Sequence, residues 1–215
     1  MPTSLQGLQA RIRQHPAYHD RLTMLREGLE LPSYALLPRA RPAVIASLLD
    51  DLSVPVIIVV PTVEEARRTG VALRTWMEDA EQLMQFPEPP GLLYERVPWP
   101  PEVITDRLDV ISRLVMDQMT GDEEGGDRPP VVVTSARALM RRTLPYRQFR
   151  KAIRRIEIGS RESLTQLTRH AAGIGYEPVS VVQAPGQLSR RGGLLDIYPP
   201  QATQPYRLEF FGDEI

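Results

Sequence analysis

The amino-acid sequence predicts a parallel α/β layer followed by a small α+β unit that has an antiparallel sheet and one helix. Up to about residue 145, apolar β-branched runs such as Val54–Val60 and Val131–Val133 alternate with helical patterns, as in doubly wound α/β proteins. After Pro145 the pattern changes to one helix and several short strands. With 42% hydrophobic and 25% charged residues, the 215-residue chain has the composition of a globular protein. We place a boundary near residue 148, between domains at 1–148 and 149–215.

The first domain begins with a helical pattern and continues with alternating strands and helices. Residues 3–28 have amphipathic helical spacing that is interrupted at Pro16, because proline lacks a backbone donor and clashes with the preceding turn. Thr62 is the predicted N-cap of a helix whose first turn is acidic. Six prolines between Phe86 and Pro101 exclude regular structure there. The predicted strands are 33–37, 54–60, 82–86 and 131–133, and the predicted helices are 43–52, 62–79, 102–119 and 135–142, with a polar, glycine-rich loop at 120–130.

The second domain is predicted from alternation and turn residues. Residues 152–158 alternate apolar and polar side chains like a half-exposed strand, and Gly159-Ser160 precedes a predicted helix. That helix covers 161–172, and the strands are 177–183, 193–198 and 206–211. The last residues have the pattern of a strand entering a tight turn. We therefore expect the chain to be a fragment of a longer protein, with its second domain truncated at the C-terminal end.

Composition excludes several classes of function. The absence of cysteine excludes disulfides, thiol catalysis and cysteine-based metal sites, and three histidines argue against a histidine-rich site. The apolar run at 54–60 is far shorter than the roughly 20 residues that cross a bilayer, and the N-terminus lacks a signal-peptide pattern. We therefore expect a cytosolic protein without a membrane partner. Lys151 is the only lysine among 26 basic residues, which excludes any function that needs an earlier lysine.

The α/β layer suggests nucleotide binding, but the sequence argues against it. A phosphate cradle needs glycines whose amides surround the anion, and a P-loop also needs a lysine. The predicted first strand-to-helix turn, residues 36–42, contains neither, and Pro38 and Pro42 each remove an N–H donor. We predict no cofactor site, no metal site and no catalytic residue in this chain. The carboxylates of Asp50 and Asp51 cannot face each other on a helix, and we predict that they are solvated.

The segment 186–215 carries the most informative pattern. One interpretation is a simple β-hairpin with a glycine pair that forms a bulge, with Leu195 and Ile197 directed into the core, and with a strand that ends at proline. The adjacent Phe210 and Phe211 must face opposite sides of a strand, so we expect one in the core and the other exposed. An exposed aromatic ring flanked by arginines is typical of a protein–protein hot spot. The neighbouring arginines are Arg190, Arg191 and Arg207.

This segment also resembles a known module. The string Arg191-Gly-Gly-Leu-Leu-Asp-Ile-Tyr-Pro-Pro200, followed by Tyr206-Arg-Leu-Glu-Phe-Phe-Gly-Asp-Glu-Ile215, closely resembles the module shared by UvrB and the transcription-repair coupling factors. Upstream, Tyr94-Glu-Arg96, Pro101-Glu-Val-Ile104, Arg107-Leu108 and Val131–Met140 are similar to the N-terminal region of the coupling factors. The resemblance covers residues 30–215 and is tightest over the last thirty.

The missing phosphate cradle decides between these two families. UvrB is an ATPase whose first domain has a P-loop, whereas the N-terminal module of the coupling factors is a degenerate copy without one. The proline-flanked turn at 36–42 fits the degenerate copy. The resemblance therefore implies a degenerate P-loop, RecA-like α/β domain followed by a small UvrA-interaction domain.

The resemblance also implies a function. In this bacterial family the full-length protein is an ATP-dependent DNA translocase that displaces stalled RNA polymerase and recruits UvrA for nucleotide excision repair. ATP, Mg²⁺, RNA polymerase and DNA are bound by domains that this chain lacks, so no enzymatic activity is implied for it. The implied partner is UvrA, and the C-terminal domain of the full-length protein is implied to mask the UvrA-binding surface.

The family's UvrA-contacting positions fall on Arg191, Arg207 and Phe211 of this chain. Arg190 is the alternative contact, because strand alternation allows only one of two adjacent arginines on each face. Two other functions remain open. An ATP-dependent DNA-remodelling enzyme would need a phosphate site, and a direct DNA-binding module is disfavoured by the net charge of −1.

Overall fold

The computed structural model describes residues 4–33, 35–92, 94–95, 97–120 and 128–215. The helices in these ranges are α1 (Ser4–Arg13), α2 (Pro16–Arg26), α3 (Arg41–Asp51), α4 (Val63–Trp76), α5 (Pro101–Thr120), α6 (Ala136–Met140), α7 (Tyr146–Ala152) and α8 (Leu164–Gly173). The strands are β1 (Val56–Val60), β2 (Leu83–Phe86), β3 (Val131–Ser135), β4 (Glu177–Pro178), β5 (Gln187–Arg191), β6 (Leu194–Ile197) and β7 (Tyr206–Glu209).

Contacts between residues divide the chain into two compact units. The first comprises residues 1–103 and 116–142, and the second comprises residues 104–115 and 143–215. The middle of α5 therefore groups with the C-terminal part of the chain. The division into two domains with a boundary near residue 148 stays a prediction.

The first unit is built on a parallel sheet with the strand order β1-β3-β2. All five residues of the central strand β3 are buried, as is typical of parallel sheets. α4 packs on β3 and α3 packs on α4, around a core that includes Leu49, Leu73 and Val133. The hydroxyl of Thr62 caps α4 by accepting a hydrogen bond from the Glu65 N–H at 3.2 Å. The predicted parallel α/β layer and this helix cap are confirmed.

The N-terminal helices meet the end of α3 through a polar cluster. Pro16 is the first residue of α2, so the predicted helix interruption is confirmed. Arg13 donates to Asp50 at 3.1 Å and to Asp51 at 3.2 Å, and the Tyr18 hydroxyl donates to Asp51 at 2.6 Å. Because the Asp50 side chain is only 4% exposed, the prediction of two solvated carboxylates is wrong. The paired guanidinium offsets part of the cost of burying the charge, yet burial still raises the pKa of Asp50.

The second unit is built on a sheet with the order β4-β5-β6-β7. β4 runs parallel to β5, whereas the other two pairs are antiparallel, so the sheet is mixed. α8 packs on one face, and the core includes Leu167, Leu188 and Leu195. Gly192 and Gly193 join β5 to β6, which confirms the hairpin, but the two glycines form its turn and not the predicted bulge. The predicted fold class, an α/β layer followed by a smaller unit with a sheet and a helix, is confirmed.

The predicted strand at 152–158 is wrong. Ala152 is the last residue of α7, and residues 153–157 have no regular structure. Ile156 packs against the core, but Ile158 is fully exposed. The apolar residues at 153, 156 and 158 do not keep a strict two-residue period, which explains why the stretch forms a connection and not a strand.

Two further elements of the second unit are shorter than predicted. α8 begins after Ser163, which is its N-cap, because the Glu162 N–H donates to the Asp213 carbonyl and Arg161 forms a bridge with Glu214. The strand predicted at 177–183 is reduced to the two residues of β4. Pro178 has no N–H to donate to a ladder, which favours this early end.

The predicted strand at 33–37 is absent from the described residues of that range, and Tyr34 lies outside them. Leu37 is 78% exposed, so no apolar burial supports a strand there. The glycine-rich loop prediction falls mostly on residues 121–127, and the upstream motif includes Arg96; both lie outside the described residues. None of the described helices is long and apolar enough to cross a membrane. Within the described ranges, no three or more His, Cys, Asp or Glu side chains are arranged so that they could hold a metal ion.

Candidate partner-binding surface

The alternation of β5, β6 and β7 creates two different faces. Cross-strand partners share a face, and successive residues of one strand point to opposite faces. The face against α8 includes the row Arg190, Leu195 and Leu208, of which Leu195 is fully buried. The opposite face, which we call the outer face, carries the polar rows Ser189-Asp196-Arg207 and Arg191-Leu194-Glu209.

The two adjacent arginines therefore lie on opposite faces. Arg190 lies on the face against α8 and donates to the hydroxyl of Thr165 on that helix at 3.3 Å. Arg191 lies on the outer face, where it donates to the Ser180 carbonyl at 2.6 Å. Both side chains are exposed, but only Arg191 shares a face with Arg207. The geometry thus favours Arg191 over Arg190 as a member of one surface with Arg207.

Arg207 is held by a cross-strand carboxylate. Its Nε donates to Oδ1 of Asp196 at 2.7 Å, and an Nη donates to Oδ2 at 2.9 Å. This two-point pair joins directly opposite residues of β6 and β7. The hydrogen bonds from Arg207, with a smaller contribution from the charge of Arg191, hold the pKa of Asp196 below its ordinary value. Asp196 was not among the residues predicted for this site. The signal that identifies it is strand register, which places it opposite Arg207.

Phe210 and Phe211 separate as expected. Phe210 packs against the core of the second unit, whereas Phe211 is 80% exposed. Phe211 precedes a tight turn in which its N–H donates to the Glu214 carbonyl at 2.9 Å. Gly212 adopts a φ of 69° in this turn, a conformation that glycine accepts at low cost. The turn therefore presents a large apolar side chain to solvent while its backbone remains hydrogen bonded.

The surroundings of Phe211 differ in charge from those of the arginines. An open cleft of about 340 Å³ lies beside the ring and is lined by Arg161, Glu162, Ser163, Phe211, Asp213 and Glu214. Three of these six residues are acidic. The surface thus combines two exposed arginines on the outer face, where Asp196 and Glu209 also lie, with an exposed aromatic ring and an acidic cleft. Such a charge distribution favours one orientation of a partner over others.

The structure corrects the location of the predicted degenerate nucleotide turn. Residues 36–42 do not follow a strand, because the described part of 33–37 forms none. The first strand-to-helix junction of the described sheet is Pro61-Thr62, between β1 and α4, and it also contains no glycine. The side chain of Thr62 is engaged in capping α4.

Ligands of α/β proteins usually bind at the carboxyl edge of the parallel strands. Here that edge has a cavity of about 350 Å³ whose lining includes Glu88, Glu95 and Arg137. Glu88 accepts a hydrogen bond from the Ser135 hydroxyl at 2.8 Å and pairs with Arg137 at 3.2 Å. Its carboxylate thus pairs with the one cation among the described residues of the lining, where a triphosphate would also meet the side chains of two glutamates.

Comparisons with known proteins point to one family. Residues 155–215 match the UvrB interaction domain. The chain is 27% identical to the transcription-repair-coupling factor of Bacillus subtilis over 212 residues, which are 98% of this chain and 17% of that protein. It is 31% identical to the transcription-repair-coupling factor of Myxococcus xanthus over 196 residues, which are 89% of this chain and 16% of that protein.

A shorter match extends to a second kind of protein. Over 110 residues, 51% of this chain, it is 31% identical to the UvrABC system protein B of Thermotoga neapolitana, of which the match covers 16%. The chain therefore spans only 16–17% of the length of these relatives. It carries a UvrB interaction domain at residues 155–215 and is similar, over most of its length, to an N-terminal fragment of the transcription-repair coupling factors.

Proposed function

We propose that this chain binds UvrA through the outer face of β5–β7 together with Phe211. In a longer protein, this docking recruits UvrA to stalled RNA polymerase during nucleotide excision repair. The observation that carries the proposal is the placement of Arg191 and Arg207 on one face, in a segment that also carries an aromatic ring that is 80% exposed. These residues lie in the segment that matches the UvrB interaction domain.

The chemistry of the surface defines the partner that it fits. Arg191 offers N–H donors to a carboxylate of the partner. Arg207 uses its Nε edge for Asp196, which leaves the opposite edge of the guanidinium for a second partner carboxylate. Phe211 contributes apolar area that is buried only in the complex. The matching surface on UvrA is therefore acidic opposite the two arginines and has an apolar recess for the ring.

The chain itself acts as a binding module without enzymatic activity and without a nucleotide or metal. Support comes from the proline-containing, glycine-free junctions before α3 and α4 and from the carboxylates at the carboxyl edge of the parallel sheet. ATP-driven translocation, and contacts with RNA polymerase, belong to segments of a longer protein. A nucleotide-binding titration of the chain with ATP and Mg²⁺ separates this proposal from an ATP-dependent remodelling enzyme, which would bind.

Masking regulates the same surface. In the longer protein the C-terminal domain covers the outer face until polymerase is engaged, so the chain without that domain binds UvrA constitutively. Adding the isolated C-terminal domain lowers the apparent UvrA affinity. An unchanged affinity at saturating concentrations of that domain would contradict masking.

The proposal is tested by titration calorimetry of UvrA with single alanine variants. Arg191→Ala, Arg207→Ala and Phe211→Ala each weaken binding by about 1–4 kcal/mol, because each removes a central contact. The matched control is Arg190→Ala, which removes the same charge from the adjacent residue on the other face. It leaves the affinity within about 0.5 kcal/mol of wild type, because Arg190 lies on the face against α8 and outside the proposed surface. Near-wild-type affinity in all three test variants would refute the proposed surface. A large loss of affinity only in Arg190→Ala would instead place the UvrA-binding surface on the face against α8.

A further inference from the structure

α7 carries a second charged surface that is separate from the outer face. Phe149 is buried, with 6% exposure, whereas Arg147, Arg150 and Lys151 are exposed. Their spacing of three and four residues places these three cations within an arc of about 100°, on the side of the helix away from Phe149. α7 thus buries the side chain of Phe149 and exposes an arc of its surface that contains only cationic side chains.

Nothing in the described chain neutralises this arc. Arg147, Arg150 and Lys151 form no ion pair there, and the sequence from Arg128 to Ile156 contains no aspartate or glutamate. Like charges at this spacing repel each other. The arc therefore has a net positive potential that an anionic partner would relieve.

Two arginines of α4, in contrast, form ion pairs with an acidic residue of the same helix. There Glu64 pairs with Arg67 at 2.9 Å and with Arg68 at 2.8 Å, on the same helix face. The charges of α4 are thus largely compensated within the helix, whereas those of α7 are not. Neighbouring arginines on a helix of this chain can thus be compensated by an acidic residue of the same helix, and the cations of α7 have no such residue.

One more cation extends the arc beyond the end of the helix. Arg154 donates to the carbonyls of Lys151 and Ile153, which are among the last acceptors of the helix end. The next residue, Arg155, pairs with Glu157 at 2.8 Å and is compensated. The cations without an ion pair in this part of the described chain are therefore the three of α7 together with Arg154, and we call them the α7 cation set.

We infer that the α7 cation set binds the phosphate backbone of double-stranded DNA. From Arg147 to Lys151 the cations of α7 extend for about 6 Å at 1.5 Å per helical residue, and Arg154 follows just beyond the helix end. The phosphates of one DNA strand recur about every 3.4 Å along the helix axis, so four cations in this range can contact about three of them. Guanidinium groups match phosphate oxygens in geometry. The binding is independent of base sequence, since none of these features reads a base edge.

Other classes of partner fit the α7 cation set less well. Single-stranded nucleic acid requires aromatic platforms for stacking, and Tyr146 is the one exposed aromatic residue of α7. A protein interface has an apolar centre surrounded by polar groups, whereas the arc itself holds only cations. The inference does not depend on UvrA binding, because the two surfaces share no residue.

Fluorescence anisotropy of the complete chain with a labelled duplex of about 20 base pairs tests this inference, at roughly 25–200 mM salt. We expect binding at low salt and a slope of log K against log salt of about −3, from about 0.9 per phosphate contact. The variant Arg147→Gln/Arg150→Gln lowers the affinity about tenfold or more at low salt and makes the slope shallower by about 2. The matched control, Arg67→Gln/Arg68→Gln, removes the same number of charges and leaves both values unchanged.

A second variant separates charge from folding. Arg147→Lys/Arg150→Lys keeps the charges and retains affinity within about threefold, while circular dichroism verifies the fold of all variants. Absence of binding at the lowest salt, or equal losses in the α7 and α4 double variants, would overturn the inference. It would also be overturned if the α7 double variant lost UvrA affinity and the wild-type chain bound no DNA, since the cation set would then serve a protein partner.

Discussion

The two units of the molecule use their charged side chains differently. In the first unit, Arg13 pairs with the buried Asp50, and Glu88 is held by the Ser135 hydroxyl and by Arg137. In the second unit, Arg191 on the outer face donates only to a backbone carbonyl, and an aromatic ring remains 80% exposed. The first arrangement satisfies charges internally and contributes to stability. The second leaves donors and apolar area available, which is what binding to another molecule requires.

Substitution of matched arginines should separate these two uses most strongly. Arg13→Met leaves Asp50 as a buried carboxylate without its cation, and it should lower the free energy of unfolding by about 2–4 kcal/mol. Arg191→Met should change it by less than about 0.5 kcal/mol, because this side chain lies on the surface. Urea unfolding followed by circular dichroism measures both. Equal effects of the two substitutions would remove the distinction between the units.

The pair between Asp196 and Arg207 gives a finer test within the outer face. We expect Asp196→Asn to weaken UvrA binding by about 0.5–1.5 kcal/mol, because Arg207 loses the hydrogen bonds that orient its guanidinium. If only charge mattered, Asp196→Asn would strengthen UvrA binding, because the variant makes the surface more basic.

Calorimetry on Asp196→Asn, Arg207→Ala and the double variant completes a mutant cycle for this pair. If Asp196 acts through Arg207, the double variant binds like Arg207→Ala alone. A gain of affinity in Asp196→Asn would show that the carboxylate only reduces the positive charge. A loss that persists in the absence of Arg207 would show that Asp196 contacts the partner itself.

The contributions of Asp50 and Asp196 to stability should change with pH in opposite directions. Of the three predictions made from the comparison of the two units, this one concerns the smallest effects. Burial raises the pKa of Asp50 above 3.8, so this group destabilises the ionised folded state, and the penalty is relieved as pH falls through the raised pKa. Hydrogen bonds from Arg207 lower the pKa of Asp196, so its contribution is complete above pH 3.8 and is lost as pH falls through the lowered pKa.

Urea unfolding between roughly pH 3 and 7 measures these contributions when wild type is compared with each asparagine variant. Relative to Asp50→Asn, the wild-type chain should gain stability on acidification. Relative to Asp196→Asn, it should lose stability, but only at the acidic end of the range. The same sign for both comparisons would contradict the assigned environments.

Much of the fold is predictable because local patterns and tertiary packing agree. The β-branched run before Pro61 and the run at Val131–Val133 become parallel strands, and Thr62 caps a helix as its sequence context predicts. Failures occur where the pattern was imperfect. The isoleucines at 153, 156 and 158 lack a strict period of two, and the chain there forms a connection without a ladder.

The candidate site was only partly predictable, because its geometry depends on strand register. Adjacent phenylalanines must face opposite sides, but only packing against the core decides that Phe210 is inside. The same holds for Arg190 and Arg191, whose faces depend on which residues oppose them. Asp196 lies eleven residues from Arg207 and becomes its partner only through the pairing of β6 with β7.

The order of the elements, the absence of glycines at the junctions before α3 and α4, and the concentration of arginines and aromatic rings near residue 215 can all be read from the amino-acid sequence. These properties depend on residue types and on local periodicity, which a linear pattern records. Three other properties are visible only in the folded chain: which arginine shares a face with Arg207, which phenylalanine is exposed, and that the Asp50 side chain is buried beside Arg13. These outcomes depend on strand pairing and packing between residues distant in sequence. Such contacts form, and contribute to stability, only when the chain folds.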